Sequence, residues 1–365
     1  MRSSDALGAR ANVALAPLGT LGVGGAARWF IRAESAEDVA TARLWCEERN
    51  VPWFVLGGGS NVVIADSGYE GLVLHMAITG RSTTNEGEDS LVTAGAGENW
   101  DALVESIVAR GLAGVECLSG IPGTVGGTPI QNVGAYGQEV SNTIDKVTVY
   151  DCADHTVRSL SASECRFAYR VSRFKAEDPD GFVGCAAPFR LLPGPPTAPY
   201  AVVAAYLRRR DVSNPTVSIV RDAVLRIRRS KGMVVDEHDP DSRSVGSFFM
   251  NPVVTEADLD RVATIAGERP PCFVMDDGRV KIPAAWFIER TGFRKGYVDG
   301  AVGISAKHPL ALVNRGGATA ADVLRLATAV KRGVGERFAV WLRPEPIFVG
   351  FHQHPEVEFL TKARG

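Results

Sequence analysis

IPGTVGGTPIQNVGAYG, residues 121–137, carries five glycines in seventeen positions and ends on an aromatic beside the last of them. Glycine gives up more backbone freedom on folding than any other residue, so such density is costly unless something must approach the backbone closely. The stretch lies between segments that read as ordinary helix and strand. Its glycines are interleaved with Thr124, Thr128, Gln131 and Asn132, side chains that supply donors and acceptors. A long flat ligand can lie along such a backbone, with amides on phosphates and ring edges. A tightly packed structural loop is the other reading of the same residues.

A shorter run, LGGGSN at residues 56–61, follows the apolar WFV. Three glycines ahead of hydroxyl and amide side chains can form a concave row of N–H groups that holds an anion. They can equally make a plain turn. The two runs together are more telling than either alone, because a dinucleotide presents two phosphates and two ring systems. A third run, GVGGAA at residues 22–27, fits G-x-G-x-x-A, but that fingerprint works only between a strand and a helix. Arg28, Trp29, Phe30 and Ile31 follow it and read as a strand, which makes the match a decoy.

The 365 residues are 45% hydrophobic and 22% charged, ordinary for a globular chain long enough for two or three domains. Forty basic against forty-two acidic side chains leave a net charge of −2, so no long-range attraction to nucleic acid or anionic membrane is expected. The six cysteines, Cys46, Cys117, Cys152, Cys165, Cys185 and Cys272, include no C-x-x-C pair, which argues against a disulfide framework or a zinc ribbon. His352 and His354 near the end lack further metal ligands and read as a solvated tail. With no signal-peptide core and no long apolar run, a reducing, cytoplasmic setting is expected.

Along the chain, Ser35 and Asp38 spell a capping box for a helix through Asn50, with Val39, Ala42 and Cys46 on one face. Strands are expected on either side of the LGGGSN loop and at 71–76 and 90–97, the last two separated by a polar, acidic stretch. Asn99 caps a helix bearing Leu103 and Ile107, which Gly111 stops. Residues 146–151 and 156–160 read as a hairpin, and 191–199 as a proline-rich surface connection. A strong amphipathic helix spans 217–229, with Ile219, Val220, Ala223, Val224 and Ile227 inward. Residues 235–244 form a polar linker, and helices follow at 256–266, 284–291 and 320–334.

Three residues invite a chemical reading. Ser247, in GSFFMNP at 246–252, has no G-x-S-x-G elbow around it. In an apolar pocket it can pass a proton to a strongly basic carbon; on local grounds a turn hydroxyl is the favoured reading. Arg166 and Arg170 stand four apart, and either guanidinium can fork onto a carboxylate or phosphate, although an exposed i,i+4 face suits Arg166 better. Glu345 is held between Pro344 and Pro346, an aim that suits a catalytic carboxylate and equally a structural turn.

LGGGSNVV (56–63), GIPGTVGGTPIQNVGAYGQE (120–139), YRVSRFK (169–175), GSFFMNP (246–252) and WLRPEP (341–346) together resemble, in order and over nearly the whole chain, the UDP-N-acetylenolpyruvoylglucosamine reductase family of flavoenzymes. The resemblance implies an α+β chain: a two-subdomain FAD-binding fold of the PCMH, vanillyl-alcohol-oxidase-like type, plus a C-terminal α+β substrate-binding domain. It implies subdomains at 1–80, rejoined by 343–365, and at 81–232, with the substrate domain at 233–342. FAD would be bound tightly and non-covalently by Gly57, Gly58, Gly59, Ser60 and Asn61 of the first loop. Gly120, Ile121, Pro122, Gly123, Gly126, Gly127, Gln131, Asn132, Gly134, Ala135 and Tyr136 would hold it from the second.

The implied reaction is an NADPH-dependent reduction of UDP-N-acetylglucosamine enolpyruvate to UDP-N-acetylmuramate in peptidoglycan precursor synthesis, hydride passing from NADPH to FAD and from flavin N5 to the enolpyruvyl group. Arg170 and a protonated Glu345 match the groups that stabilise the developing carboxylate charge, and Ser247 matches the proton donor, which reverses its local reading. Tyr169, Lys231, Asn251 and His308 match substrate contacts. Tyr200, with Tyr206 as alternate, matches the tyrosine that closes over the diphosphate in the long form of the family. A monomer without metal, nucleic-acid partner or membrane association is expected. An FAD-dependent oxidase or dehydrogenase of an alcohol or hydroxy acid would explain the glycine loops but leave GSFFMNP and WLRPEP without roles. A flavin- or sugar-nucleotide-binding protein without turnover would have no need of a proton donor.

Overall fold

Ser35 Oγ accepts the Asp38 N–H while Asp38 Oδ2 accepts the Ser35 N–H, so the capping box starts the helix Ala36–Arg49 as expected. Val39, Ala42 and Cys46 are buried together with Trp45, and Asn50 ends the helix in the left-handed conformation. The computed structural model describes residues 7–196, 200–275 and 277–362. Contacts divide the chain into two units: Met1–Val13, Ala27–Gly59 and Glu70–Val234 form one, and Ala14–Ala26, Ser60–Tyr69 and Val235–Gly365 the other.

In the first unit the helix links the strands Ala26–Ala33 and Trp53–Leu56, which lie in a sheet ordered Arg10–Ala14, Ala26–Ala33, Tyr69–Met76, Trp53–Leu56. A strand, not a helix, therefore follows the GVGGAA run, and the dinucleotide fingerprint lacks its context. A second sheet runs Thr156–Ser161, Lys146–Asp151, Phe182–Pro193, Asp89–Gly95, Arg81–Glu86, with Leu112–Ala113 also on the long strand. The hairpin pairs Lys146 with Ser161 through to Asp151 with Thr156. The helix Trp100–Val108 is capped by Asn99, whose side chain accepts the Ala102 N–H. Trp100 is fully buried, and its indole N–H donates to Leu118 O at 3.1 Å.

Four readings of this unit are corrected. Residues 191–193 continue the strand Phe182–Pro193, where Pro193 ends the ladder against Leu112; residues 197–199 of the expected connection lie outside the described residues. The polar stretch before residue 90 contains the edge strand Arg81–Glu86, exposed at every position, so no apolar alternation marks it. Ile219 is 38% exposed while Arg221 turns inward, because the buried stripe runs through Val217, Val220, Val224 and Ile227 and Arg221 finds Asp101 as partner. Arg166 and Arg170 share no helix: both have positive φ, 48° and 58°, and residues 168–171 close a tight turn.

The second unit is organised on the helix Ala320–Phe338, whose Leu324, Ala327, Val330, Val334 and Phe338 are buried among Trp286, Phe287 and Ile304. It outruns the expected end at 334 because Gly335 leaves room for the Trp341 ring, which a Cβ there would overlap. Thr319 and Asp322 form its capping box, and Asp66 Oδ1 and Oδ2 add a second cap on the Ala320 and Ala321 N–H groups at 2.7 and 3.0 Å. Val62–Ile64 pairs in parallel with Ile347–Val349. The expected linker 235–244 instead folds around a 3-10 turn, Pro240–Ser242, with Asp241 and Ser242 buried.

The histidine-bearing end is not a free tail. His354 stands at the N-cap position of the helix Pro355–Thr361 without a side-chain cap bond, and its ring meets Phe351 at 5.4 Å. The buried ammonium of Lys331 closes the other end of that helix, donating to the carbonyls of Phe359, Leu360 and Lys362 at 2.7, 2.9 and 2.7 Å. Among the described residues no helix is long and apolar enough to cross a membrane, and no group of three or more metal-ligating side chains occurs.

Candidate active site

The scarcity of side chains along residues 121–137 is explained first by packing. A Cβ on Gly58 would stand 2.7 Å from Gly123 Cα, and one on Gly57 2.7 Å from Thr124 Oγ1. A Cβ on Gly126 would meet Ala96 at 2.7 Å. The two glycine loops thus lie backbone against backbone, and the second is pinned to its own flank by Gly126 N–H to Ala96 O at 2.8 Å and Trp100 N–H to Gly123 O at 3.1 Å. Packing does not account for every position: nothing lies within 4 Å of a Cβ on Gly127. Thr124 Oγ1, at the seam, is buried with no hydrogen-bond partner. An orphaned hydroxyl beside an open glycine fits a ligand running along this backbone, as the expected FAD would.

The start of the stretch is tethered by charge. Asp101 Oδ1 accepts the Gly120 N–H at 2.6 Å and Arg221 Nη1 at 2.5 Å, while Oδ2 accepts Arg221 Nη2 at 3.2 Å. Burial works against the Asp101 charge, but these donors prevail and hold its carboxyl below the usual range. The end of the stretch is a two-residue hairpin: Gly134–Ala135 pairs with Gln138–Glu139 across Tyr136 and Gly137, both at positive φ.

YRVSRFK clasps the middle of the stretch. Arg170 donates to Asn132 O at 3.4 Å and Gly134 O at 2.6 Å, Ser172 Oγ to Ile130 O at 2.5 Å, and Lys175 Nζ reaches Gln131 Oε1 at 3.5 Å. Tyr169 is 39% exposed, with the Arg170 guanidinium over its ring at 5.5 Å. The carboxamide of Asn132 is turned into the protein, where Glu139, Ala168 and Ser141 take it up.

Beneath the hairpin lie two cations that form no salt bridge among the described residues, although the Asp101 carboxylate is near enough to favour the charge of Arg228. Lys231 Nζ sits over the Tyr136 ring at 5.6 Å, and burial, then Arg228, lowers its pKa. Arg228 donates through Nη2 to Met233 O at 2.7 Å, its Nε is buried without a partner, and burial lowers its pKa too. Burial also raises the Tyr136 phenol, with Arg228 opposing. Cations held this way favour an anionic ligand. Tyr200 lies 3.7 Å from a Cβ on Gly137 and is 46% exposed, whereas Tyr206 packs under Arg210 beside the cluster of Cys117, Val203 and Leu207.

In the second unit, backbone hydrogen bonds tie three segments together. Phe248 N–H donates to Leu310 O at 2.7 Å, Glu345 N–H to Phe248 O at 2.9 Å, and Met250 N–H to Arg343 O at 3.0 Å. Ser247 and Glu345 are therefore brought to neighbouring positions by a pairing one residue away. Ser247 Oγ bonds to no described residue, so the turn does not use it. Asn61 Nδ2 donates to Glu345 O at 3.4 Å. His308 Nδ1 accepts the Leu310 N–H at 3.1 Å, which assigns the proton of the neutral ring to Nε2. Asn251 Oδ1 accepts the Ala284 N–H at 2.9 Å, and no described residue takes up its Nδ2.

Sequence reasoning missed Arg228 and Asp101. Arg228 was hidden in a basic run that resembles a solvated face, although its place three residues before Lys231 was a usable signal.

The comparisons agree with this geometry. Residues 27–161 match the family model for an FAD binding domain, which with the paired glycine loops makes the chain an FAD-binding flavoprotein. Residues 238–349 match the UDP-N-acetylenolpyruvoylglucosamine reductase C-terminal domain. The chain is 48% identical to the UDP-N-acetylenolpyruvoylglucosamine reductase of Thermobifida fusca, covering 93% of this chain and 97% of that one. It is 45% identical to that of Streptomyces coelicolor, over 92% and 89%. Among solved structures, the UDP-N-acetylenolpyruvylglucosamine reductase of Thermus caldophilus matches with a TM-score of 0.63 and 25% identity, covering 93% of this chain and 99% of that one. The chain belongs to the UDP-N-acetylenolpyruvoylglucosamine reductase family.

Proposed function

We propose that this protein reduces UDP-N-acetylglucosamine enolpyruvate to UDP-N-acetylmuramate, with NADPH as electron donor, in peptidoglycan precursor synthesis. The observation that carries the reading is Ser247: a half-buried hydroxyl, unused by its own turn and set one residue from the backbone pairing that holds Glu345. Bound FAD, held by the glycine runs, supplies the hydride chemistry between NADPH and the enolpyruvyl methylene. Arg170 forks onto the substrate carboxylate, and Glu345 donates a hydrogen bond to it as negative charge develops there. Ser247 then gives its proton to the adjacent carbon, which completes addition across the double bond. Lys231 and Arg228 receive the diphosphate, Asn251 Nδ2 and His308 Nε2 donate to the sugar nucleotide, Tyr169 lines the site, and Tyr200 closes over it as in the long form of the family.

We assign 1–80 with 343–365 and 81–232 to the flavin, and 233–342 to the substrate, in a cytoplasmic monomer without nucleic-acid or membrane partners. Sedimentation of the flavin-loaded protein tests the monomer. The function is tested anaerobically: the protein is reduced with one equivalent of NADPH, the enolpyruvyl sugar nucleotide is added, and the visible flavin band is followed. Return of the band with lactyl product supports the reading; a flavin that stays reduced until air is admitted points to the oxidase. In Ser247→Ala, reoxidation should collapse far more than reduction, and equal loss of both half-reactions would remove the role given to Ser247.

A further inference from the structure

We infer that Asn132 is a positioning residue for Arg170, with Glu139 fixing its orientation, rather than a contact to the cofactor. This rests on the reading of Arg170 as the group that forks onto the substrate carboxylate.

Asn132 is 1% exposed and has φ 45°. Its Nδ2 donates to Glu139 Oε2 at 2.7 Å and to Ala168 O at 3.2 Å, and its Oδ1 accepts the Ser141 N–H at 3.1 Å. Both amide protons and one lone pair are thus engaged inside the protein, which leaves the carboxamide little to offer a ligand. What it holds is Arg170, from two sides. Its main-chain oxygen accepts Arg170 Nη1 at 3.4 Å, beside Gly134 O on Nη2 at 2.6 Å. Its side chain grips Ala168 O, and Ala168 and Val171 exchange both backbone hydrogen bonds, at 2.9 and 3.1 Å, to close the turn that presents Arg170.

Arg170 needs such support, because its left-handed φ of 58° is uncommon for a side chain of this size and persists only where surroundings impose it. A planar guanidinium must face a planar carboxylate squarely to use both of its bonds, and a displacement of about 1 Å in a positioning group lowers rates by about 10²-fold. Glu139 sets the direction of the device. As a carboxylate it only accepts, so it draws Nδ2 and turns Oδ1 toward Ser141.

The test exchanges these roles. Asn132→Asp places a second carboxylate within hydrogen-bond distance of Glu139 and removes the donor to Ala168 O. Adding Glu139→Gln restores the hydrogen bond between the two side chains in reverse, with Ser141 N–H still accepted, while the donor to Ala168 O stays lost, so that recovery is partial. Flavin reduction by NADPH and reoxidation by the enolpyruvyl sugar nucleotide are measured by anaerobic stopped flow, with flavin content from the visible spectrum. In Asn132→Asp we expect reoxidation to slow about 10²-fold more than reduction, and the double variant to recover at least about tenfold of that difference. Glu139→Ala, which leaves Asn132 in place if the aspartate variant fails to fold, should show the same asymmetry at about tenfold. Equal slowing of both half-reactions, loss of flavin in proportion to activity, or no recovery in the double variant would overturn the inference. A wild-type flavin that the enolpyruvyl sugar nucleotide does not reoxidise refutes the functional reading itself, before any variant is compared.

Discussion

Replacing Asp101 with alanine should be among the most damaging single changes in the first unit, although Asp101 touches no reacting atom in the proposed mechanism. Three interactions disappear at once. The fork to Arg221, at 2.5 and 3.2 Å, leaves a guanidinium only 9% exposed without its main counter-charge, Glu105 remaining at 3.8 Å; orphaning one partner of a buried pair costs about 3 kcal/mol. The Gly120 N–H loses its acceptor at 2.6 Å, which adds about 1 kcal/mol. A carboxylate also leaves the first turn of the helix Trp100–Val108, worth about 0.5 kcal/mol. The sum, about 4.5 kcal/mol, lowers the melting temperature by roughly 10 °C in a unit of this size. Thermal unfolding followed by tryptophan emission reads this directly. Acid adds a second signature. The folded-state pKa of Asp101 is depressed, so its contribution is fully present above the ordinary carboxylate range and lost as pH falls through the lowered value. Wild type should therefore lose its advantage over the variant in strong acid. A loss below about 1 kcal/mol, or an Arg221→Met change that costs as much with Asp101 already gone as with it present, would refute the reasoning.

Gly58→Ala should weaken FAD binding at least about tenfold and cost about 2 kcal/mol, because its Cβ would press on Gly123 Cα and C at 2.7 and 3.0 Å, backbone that has no rotamer to yield; flavin titration and melting check both. Arg228→Met should raise the Kd for UDP about tenfold by removing one of two cations, read by flavin difference spectra, and the variant should lose affinity less steeply with added salt than wild type. Asp322 is held at about 2, chiefly by the Thr319 N–H and then by Arg325 and Thr319 Oγ1. Its folded value is depressed, so Asp322→Asn should cost about 1 kcal/mol at neutral pH, and that difference should vanish as acid carries the wild-type carboxylate through pH 2, measured by urea unfolding.

The helices were largely legible because their signals are local. Ser35 with Asp38, Asn99 and the apolar stripe from Val217 are decided within a few residues, and the structure keeps them. Local logic failed where a distant partner set the outcome. Ile219 yields its inward place as Arg221 reaches Asp101, and Ala320–Phe338 runs on through two glycines because Trp341 fills the space at Gly335. The edge strand Arg81–Glu86 is polar on both faces and was recruited by hydrogen bonding to Asp89–Gly95, which no apolar period announces.

By itself the sequence determined the class of protein, since its paired glycine runs and the motifs around Arg170, Ser247 and Glu345 together resemble one flavoenzyme family in order and over nearly the whole chain. Only the tertiary structure decided what each glycine and amide is for. It separates Gly57 and Gly58, emptied by a neighbouring backbone, from Gly127, which is open. It turns Asn132 inward to hold Arg170, and it sets Arg228 beside Lys231 with no salt bridge to either among the described residues. Spacing along the chain gives the kinds of groups available, whereas their hydrogen-bonding capacity is apportioned by whichever groups folding brings within reach.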